Sequence, residues 1–488
     1  MKRKGVNILM VFRVIGWLLI IESVFMTVPL ITTLVYHESD SYAFIVGIIA
    51  TALTGMALTF CLRPRHTDMG KREGFLLTAL VWVMFSFLGM IPFMLCDHKL
   101  SISDAFFESM SGFTTTGASV LPSVEALGKG ISMWRCLMQW LGGMGIILFT
   151  LAVVPMLNHS GGMQMFNAEV TGITHDKIRP RISQTAKGLW GVYVALTLIL
   201  IALLWMGPMN MYESICHAFS SISTGGYSTA DESIAHWDSV YIKVVLSIFM
   251  FLGGVNFALM YKAALGQWRA LLSNDVLKAY VRIVLGFFLV FILTIIFRGQ
   301  VTSWQSVTID PLFQIISTIT STGLSVCDYE EWGPFTLSLL FVLMFFGACA
   351  GSTSGGAKID RMMYLLKNTR NELYRCLHPN TVLSVRVNGK AVPYELVSKV
   401  IAFLCIYVMI IGVGGIALTA IGLPMVDSFF SAVSCISNTG LGAGVTGYGE
   451  SFDKVPDLGK WILSALMLTG RLEIFTVLVL FTKGFWSK

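Results

Sequence analysis

Charged residues are scarce in this sequence. They make up 13% of the 488 residues, against 55% for hydrophobic residues. A soluble domain carries about 25% charged residues, so the composition excludes an ordinary soluble protein and indicates a polytopic α-helical membrane protein. The nine cysteines include no CxxC pair, which argues against a zinc site or a disulfide framework. Most of them lie in apolar runs, and we expect free, packed thiols.

Clustered acid–base or metal-binding side chains are also missing from the sequence. The eight histidines are scattered, and neither an HxxxH nor a DxxD pair occurs. A polytopic enzyme, such as a lipid-modifying transferase, is the alternative from another class, and it would need such a cluster. We therefore expect no enzymatic activity and no catalytic residue. No feature indicates a nucleic-acid partner.

What the sequence does contain is an unusual segment at residues 104–119, DAFFESMSGFTTTGAS. A helix needs about 20 residues to cross a bilayer core of about 30 Å. This segment is too short to cross, although the apolar runs on either side are long enough. An irregular strand at membrane depth is tolerated only where it lines a water-filled cavity. We therefore interpret the segment as a pore loop.

The segment recurs along the chain. A Thr-Gly pair ends a similar element at Thr116-Gly117, Thr224-Gly225, Thr322-Gly323 and Thr439-Gly440. Counting back twelve residues from each threonine gives Asp104, Tyr212, Asp310 and Asp427. The three aspartates are suited to the N-cap of a short helix, and Pro311 would then lie in its first turn. Four copies predict four pore loops around one axis.

The predicted fold is an all-α polytopic membrane protein with four fused span–pore loop–span repeats around a pseudo-fourfold pore. Two spans, residues 14–36 and 43–62, precede the repeats as an N-terminal hairpin. The other predicted spans are residues 74–95, 133–157, 189–206, 240–265, 283–297, 400–421 and 461–481, and one from residue 335 onward. The boundaries are residues 1–70 for the hairpin and 71–180, 181–272, 273–390 and 391–488 for repeats 1 to 4.

The placement of charge supports this topology. Connections between copies are basic, for example at Lys177, Arg269 and Arg370, whereas the opposite side is rich in acids such as Asp231 and Glu450. Cytoplasmic loops carry an excess of Lys and Arg, so we expect the basic side and the N-terminus to be cytoplasmic. Ten spans, together with four pore loops that enter and leave the membrane on the same side, place the basic and the acidic connections on opposite sides.

A selective pore must replace the water ligands of a cation with oxygens, and backbone carbonyls can supply them. The C-terminal end of each short helix carries a partial negative charge that also favours a cation. The predicted filter comprises Thr115, Thr116, Gly117, Ser223, Thr224, Gly225, Ser321, Thr322, Gly323, Asn438, Thr439 and Gly440. The carbonyls expected to hold the ion are those of Thr115, Thr116, Thr224, Thr322 and Thr439.

The motifs resemble those of the Trk/Ktr/HKT superfamily of potassium transport subunits, and within it the bacterial TrkH type. The resemblance lies in residues 106–119, 140–146, 168–172, 176–190, 219–229, 348–361, 437–444 and 468–476. The N-terminal hairpin favours the Trk branch over the Ktr branch. The resemblance implies potassium uptake across the bacterial cytoplasmic membrane, with Gly117, Gly225, Gly323 and Gly440 as the filter glycines.

The resemblance also implies a potassium ion in the pore and no covalent cofactor. The expected partners are a second copy of the chain, forming a homodimer, and a cytosolic nucleotide-binding regulatory subunit of the TrkA type. Four-subunit potassium channels carry TVGYG, whereas this chain has one glycine per strand at that register. We therefore expect a looser filter that discriminates less strictly than a potassium channel.

Arg471 is the first candidate for a gate. It lies near the middle of the last predicted span, where an arginine costs about 2.5–3.5 kcal/mol on insertion scales and needs water or a partner. Glu473 is the alternative partner, but residues two apart on a helix point to different sides. We therefore expect Arg471 to face the pore, and the resemblance places it under the filter.

Residues 348–358, ACAGSTSGGAK, are the second candidate. Gly and Ser are poor helix formers, so we expect the predicted inner span of copy 3 to break here. Close helix packing through Gly347, Gly351 and Gly355 is the alternative. The resemblance implies an intramembrane loop that moves for conduction, with Lys358, Asp360 and Arg361 at the cytoplasmic edge. The predicted gate comprises Arg471, Gly351, Ser352, Thr353, Ser354, Gly355, Gly356 and Lys358.

Some alternatives stay open at the level of sequence. A symporter that couples potassium to protons or sodium would carry the same motifs as a gated pore. Glu108, Gln139 and Asn256 lie near the pore lining or behind it, and we interpret them as hydrogen-bonded structural residues. Glu22, in the N-terminal hairpin, is either a packing contact or an interface group.

Overall fold

The structure is a computed structural model that describes residues 6–62, 69–145, 182–301 and 303–486. Within these residues the regular structure is helical apart from one pair of short strands, which confirms the all-α class. Four parts of the sequence prediction lie outside the described residues. They are the motif at residues 168–172, the start of the motif at 176–190, the end of the predicted span 133–157 and the basic residue Lys177.

Six helices in the described part of the chain are long and apolar enough to cross a bilayer, as a multi-pass membrane protein requires. The N-terminal pair consists of Ile8–Phe25 continued by Thr27–Val35, and of Ser41–Cys61. The other four are the outer helices, one per copy: Lys71–Gly89 continued by Ile91–Leu95, Ile182–Trp205, Asp275–Phe297 and Tyr394–Ala420. The boundaries drawn between the copies from sequence stay a prediction.

The N-terminal hairpin is held by a close helix crossing at two glycines. A β-carbon at Gly16 would lie 2.7 Å from the carbonyl oxygen of Gly55, and one at Gly55 would lie 2.8 Å from that of Gly16. The two backbones therefore touch, which requires residues without a side chain. The first helix of the hairpin also packs on the outer helix of copy 1.

Each copy carries a short pore helix after its outer helix. The pore helices are Ile102–Phe113, Met211–Ile222, Trp304–Ile319 and Met425–Ser437. They have 12, 12, 16 and 13 residues, fewer than the roughly 20 needed to cross a bilayer. This agrees with the short helices expected in the pore loops.

The pore helices begin earlier than we predicted. Ser101 caps the first helix, and its hydroxyl oxygen accepts a hydrogen bond of 3.2 Å from the N–H of Asp104. Asp104 and Asp427 lie in the first turns of their helices, where a carboxylate complements the helix dipole. The N-cap assignment of the aspartates was therefore wrong. Pro311 lies inside Trp304–Ile319 and not in its first turn.

An inner helix follows each pore helix, and it ends or bends partway. The inner helices are Lys129–Gly143, Val240–Gly253, Pro334–Phe346 and Asp457–Arg471. In copies 2 to 4 the chain then forms Phe257–Ala264, Ile359–Leu377 and Phe475–Leu480. The bend in copy 2 is 104°. The spans predicted at residues 240–265 and 461–481 are interrupted after Gly253 and Arg471, a feature that the sequence interpretation did not include, whereas the break expected in copy 3 is present.

Inner helices 1 and 4 end beside a close contact with the end of a pore helix. A β-carbon at Gly142 would lie 1.9 Å from the carbonyl oxygen of Phe113, the last residue of pore helix 1. A β-carbon at Gly470 would lie 1.9 Å from the carbonyl oxygen of Ile436 in pore helix 4. These contacts pack pore-helix ends directly on the inner-helix backbone and leave no room for a side chain.

Buried ion pairs join neighbouring copies. Lys243 is the fourth residue of inner helix 2, and its Nζ lies 2.8 Å from Asp310 Oδ1 of pore helix 3. Lys460 is the fourth residue of inner helix 4 and lies 2.5 Å from Asp104 Oδ1 of pore helix 1. The two lysine side chains are 8% and 6% exposed.

Shorter elements complete the described chain. They are the helices Trp268–Leu272 and Lys483–Trp486, the 3-10 turns Ser233–His236, Gly444–Thr446 and Phe452–Lys454, and the antiparallel strands Arg386–Val387 and Lys390–Ala391. The strand pair follows Ile359–Leu377, the helix on the predicted cytoplasmic side.

Candidate functional site: the pore ring

The four segments after the pore helices share one backbone path. We call residues 114–117, 223–226, 320–323 and 437–440 the pore segments. The second residue of each has a φ between 53° and 55°, and the fourth is a glycine with a φ between 79° and 83°. A positive φ is uncommon for residues other than glycine. Its occurrence at Thr115, Thr224, Ser321 and Asn438 therefore marks a shared geometry.

The pore segments meet in a closed ring. Each glycine lies against the carbonyl of the next segment, so that a β-carbon on the glycine would be 1.7–2.3 Å from that oxygen. The contacts are Gly117 with Gly225, Gly226 with Thr322, Gly323 with Thr439, and Gly440 with Thr116. The fourth segment thus closes onto the first, and the copies surround one axis. A side chain on any ring glycine would displace the backbone of the neighbouring copy.

The ring shows that our sequence register for copy 2 was wrong by one residue. Gly226 has a φ of 79°, close to the 83° of Gly117, so it is the equivalent residue of copy 2. Gly225 then occupies the position that Thr116 has in copy 1. The N–H of Gly225 donates to the carbonyl of Ser220, as the N–H of Thr116 does to its own pore helix. Gly226 is therefore a ring residue that the sequence interpretation missed.

One signal in the sequence could have shown the register. Counting back twelve residues from Gly225 gives Glu213 in place of Tyr212. Glu213 lies in the first turn of pore helix 2, as the aspartates do in their own pore helices. All four copies then carry an acid at this position, which is a better match than three.

The break in inner helix 3 places a loop against the pore segments. We call residues 347–358 the gate loop. The N–H of Gly355 donates to Ser321 Oγ at 2.6 Å, and a β-carbon at Gly355 would lie 2.0 Å from the carbonyl oxygen of Ser437. The loop therefore contacts pore segments 3 and 4.

The gate loop also contacts copy 2. Thr353 Oγ1 donates to the carbonyl of Ile222, at the end of pore helix 2, and lies equally close, 3.1 Å, to that of Gly253. The alternative of helix packing through Gly347, Gly351 and Gly355 was wrong, because these residues lie between Phe346 and Ile359 and are not helical.

Arg471 joins the gate loop to copy 1. Its guanidinium donates to the carbonyls of Thr353 at 2.9 Å, Gly142 at 2.6 Å and Gly143 at 3.0 Å. Gly142 and Gly143 end inner helix 1, where carbonyls lack partners within the helix and carry partial negative charge. Arg471 ends inner helix 4, so it is held at the point where three copies meet.

The charged residues around Arg471 have partners of their own. Glu473 pairs with Arg361 at 2.5 Å, so the alternative in which it pairs with Arg471 was wrong. Lys358 donates to the carbonyl of Ser354 within the gate loop. Lys358 and Arg361 are 4% and 8% exposed. The gate loop and its neighbours cover both side chains, and their place at the cytoplasmic edge stays a prediction.

Cavities lie on both sides of the pore segments. One of about 150 Å³ is lined by the ring glycines Gly117, Gly323 and Gly440 together with Asp231 and Glu450. Another of about 90 Å³ is lined by residues of the opposite side, among them Gly143, Ser354, Lys358, Arg471 and Glu473. The ring therefore separates an acidic vestibule from a smaller space that contains fixed positive charge.

Side chains behind the ring are hydrogen-bonded, as expected for Glu108, Gln139 and Asn256. Glu108 accepts a bond of 2.7 Å from Arg135, and both are fully buried. The Arg135 guanidinium lies 4.0 Å from the ring centroid of Tyr227, just after pore segment 2. Asn256 donates to the carbonyl of Ala350 in the gate loop at 2.7 Å. The sequence interpretation missed Arg135, because no local pattern links it to Glu108.

Comparison with known proteins agrees with this geometry. A sequence model of the TrkH family, described as a cation transport protein, matches residues 40–488. The chain belongs to the TrkH family. This confirms the resemblance inferred from the motifs.

Known TrkH-family members match the chain over almost its whole length. It is 37% identical over 487 residues to the Trk system potassium uptake protein TrkH of Escherichia coli (strain K12), covering 98% of this chain and 99% of that protein. It is 31% identical to TrkG of the same strain, over 98% and 99%. The crystal structure of the potassium transporter TrkH from Vibrio parahaemolyticus matches with a TM-score of 0.89 and 32% identity, covering 99% of this chain and all of the other.

Proposed function

We propose that this chain takes up potassium through the pore ring. The observation that carries the proposal is the ring itself, which brings one carbonyl from each copy to the same level. Those carbonyls belong to Thr116, Gly225, Thr322 and Thr439. Backbone carbonyls arranged in this way can replace the hydration shell of a potassium ion. The relatives described as potassium uptake proteins support the choice of ion.

The proposed filter differs from the sequence-based set by one residue. We propose that the carbonyls of the preceding residues supply a second level of ligands, since these residues share one φ; they are Thr115, Thr224, Ser321 and Asn438. Gly226 joins Gly117, Gly323 and Gly440 as the ring glycines in place of Gly225. Potassium is the transported ion in this proposal, and no covalent cofactor takes part.

The gate loop and Arg471 are proposed to control conduction. They occupy the side of the pore segments where the ends of pore helices converge, and Arg471 adds a fixed positive charge that raises the barrier for a cation. Conduction then requires the gate loop to move away from Ser321 and Ser437. The polar contacts of the gate loop with three copies can break and re-form, which supports a loop that moves during conduction.

We propose that the chain is a multi-pass protein of the bacterial inner membrane, with the N-terminus and the basic connections in the cytoplasm. The acidic vestibule lined by Asp231 and Glu450 would then face outward. A homodimer and a cytosolic nucleotide-binding subunit of the TrkA type are the proposed partners. The basic helix Ile359–Leu377, which follows the gate loop directly, supports a regulatory contact on the cytoplasmic side.

Ion flux in vesicles tests the proposal. Purified protein in vesicles should carry potassium in preference to sodium, and a filter looser than that of a strict channel predicts measurable sodium permeation. Sodium flux at only a small fraction of potassium flux would contradict the looser filter. Absence of potassium flux in every gating condition, with protein correctly inserted, would contradict the pore.

The same vesicles separate the pore from a symporter. Under opposing potassium and proton or sodium gradients, a pore reverses at the potassium equilibrium potential, corrected for its sodium permeation. A reversal potential that shifts with the proton gradient, or by a fixed coupling ratio with the sodium gradient, would favour a symporter. The descriptions of the relatives name potassium uptake and give the symporter no support.

A further inference from the structure

Pore segments 1, 3 and 4 are braced from behind by a pair of hydroxyl groups. The first and third residues of each segment carry hydroxyls that lie 2.8 Å apart. The pairs are Thr114 with Thr116, Thr320 with Thr322, and Ser437 with Thr439. All six residues are buried. The pair ties the residue that supplies the ring carbonyl to the end of its own pore helix.

Pore segment 2 lacks this brace. Its third residue is Gly225, which has no side chain, and its first residue, Ser223, donates to the carbonyl of Ser220 at 3.1 Å. The missing threonine is replaced by a side chain from copy 1. Gln139 Nε2 donates to the carbonyl of Gly225 at 2.7 Å, and its Oε1 accepts from the N–H of Tyr227 at 3.1 Å.

Gln139 and a threonine at position 225 exclude each other. A β-carbon at Gly225 would lie 2.4 Å from Gln139 Cδ, which is too close for the two to coexist. Gln139 itself is fully buried, so it cannot turn aside into solvent. The glycine and the glutamine therefore form one unit that substitutes for the hydroxyl pair of the other copies.

The substitution has a consequence for the ring carbonyl. The carbonyl of Gly225 accepts a hydrogen bond from Gln139, whereas those of Thr116, Thr322 and Thr439 accept none within the described residues. An N–H donor occupies one lone pair of the oxygen and fixes the direction of the carbonyl. Ion discrimination depends on the position and field strength of such carbonyls.

We propose that Gln139 is a positioning residue that helps to set the selectivity for potassium. It holds the Gly225 carbonyl at the distance that a potassium ion requires and prevents it from closing on the smaller sodium ion. This inference rests on the proposed filter. It concerns one carbonyl in four, so its loss should change discrimination more than total potassium flux.

The first experiment measures potassium and sodium fluxes of Gln139→Met in vesicles. Methionine keeps the length and volume of the side chain but has no amide. We expect the potassium-to-sodium flux ratio to fall by about fivefold, which corresponds to one hydrogen bond of roughly 1 kcal/mol, with potassium flux retained. A wild-type ratio would overturn the proposal.

The decisive experiment is an exchange of the two kinds of brace. Gln139→Ala and Gly225→Thr should each lower the flux ratio, the first by removing the brace and the second by collision with Gln139. The double variant should recover the ratio, because the introduced threonine can then meet the Ser223 hydroxyl as Thr439 meets Ser437. A double variant no better than either single variant would overturn the proposal. Recovery also shows that the double variant folds, and potassium flux of each single variant checks that it folds too.

The matched control is Gln314→Met. Gln314 is an equally buried glutamine in pore helix 3, and its amide has no hydrogen-bond partner within the described residues. We expect its flux ratio to stay at the wild-type value, and a fall equal to that of Gln139→Met would overturn the specific role of Gln139. Gly440→Ala distinguishes the proposed filter from the proposed role of Gln139. If neither Gly440→Ala nor Gln139→Met lowers the flux ratio, the proposed filter is wrong. If Gly440→Ala lowers the ratio and Gln139→Met does not, only the role of Gln139 is wrong.

Discussion

The four copies are alike at the pore ring and different just below it. At the ring, each copy has the same pair of positive φ angles and the same glycine-to-carbonyl contact. Below it, copy 1 ends an inner helix at Gly143, copy 2 bends by 104° and copy 4 ends at Arg471. Copy 3 forms the gate loop.

The difference follows from mutual contact. Each ring glycine packs on the next copy, so a change in one copy displaces its neighbour, and the four must keep one geometry. The contacts of the inner-helix ends differ from copy to copy: Gly143 lies against Ser223, Gly253 lies against Thr353, and Arg471 binds Gly142. They do not require one geometry in all four copies, so one copy can carry a loop there and another a charge. In the proposed function, four copies select the ion and two of them control its passage.

The largest effect is expected from breaking the ring. Gly440→Ala places a β-carbon 2.3 Å from the Thr116 carbonyl oxygen at a φ of 79°, where a non-glycine residue costs about 1–2 kcal/mol before any clash. We expect potassium flux in vesicles to fall by at least about tenfold. Gly449→Ala is the control, since it has a φ of 73° and open space around it. Equal effects of both variants would contradict the role of the ring contact.

The second-largest effect is expected from removing Arg471, which lies below the ring. Arg471→Ala removes the positive charge and the bonds to Gly142, Gly143 and Thr353, so we expect cation flux to rise several-fold. Arg471→Lys separates the two causes. It keeps the charge and should keep flux low if the barrier is electrostatic, but it should raise flux if the three-carbonyl bridge holds the gate loop. Unchanged or lower flux of Arg471→Ala, at normal surface expression, would count against this role.

The third effect tests how firmly the copies are joined above the ring. Lys243→Met leaves Asp310 unpaired in a largely buried site, and breaking a buried pair costs about 3–5 kcal/mol. We expect a lower Tm in detergent with an unchanged potassium-to-sodium flux ratio. The double variant with Asp310→Asn should recover part of the loss. A Tm equal to the wild-type value would show that this joint between copies 2 and 3 adds little.

The smallest effect concerns the loops on the vestibule side. Glu330 Oε1 accepts a hydrogen bond of 3.0 Å from the N–H of Gly444, and burial raises the pKa of the Glu330 carboxyl above its ordinary value. The folded protein therefore holds this proton more tightly than the unfolded chain. The resulting stability is present at low pH and is lost as the pH rises through the raised pKa.

Glu330→Gln removes this titration and keeps an oxygen for Gly444. We expect its Tm to depend less on pH between about pH 5 and pH 7 than that of the wild type, and to be equal or slightly higher at the upper end. Glu450→Gln, at an exposed glutamate, is the control. A clearly lower Tm of Glu330→Gln at neutral pH would show that the charge itself stabilises the loops.

The spans and the pore helices could be predicted because they depend on local features. A long apolar run indicates a membrane helix wherever it occurs, and a short one followed by Thr-Gly indicates a pore loop. The break at residues 347–358 was visible in its glycines and serines. The breaks at Gly253 and Arg471 were missed, because apolar residues continue on both sides of each.

The sequence by itself determined that this protein crosses the membrane many times, that it has four copies and that each copy carries a short pore helix. These properties follow from length, hydrophobicity and repetition. Only the tertiary structure decided that Gln139 braces copy 2 and that Arg471 binds Gly142. Those contacts join residues tens to hundreds of positions apart, and a hydrogen bond between distant residues leaves no periodic pattern in the chain.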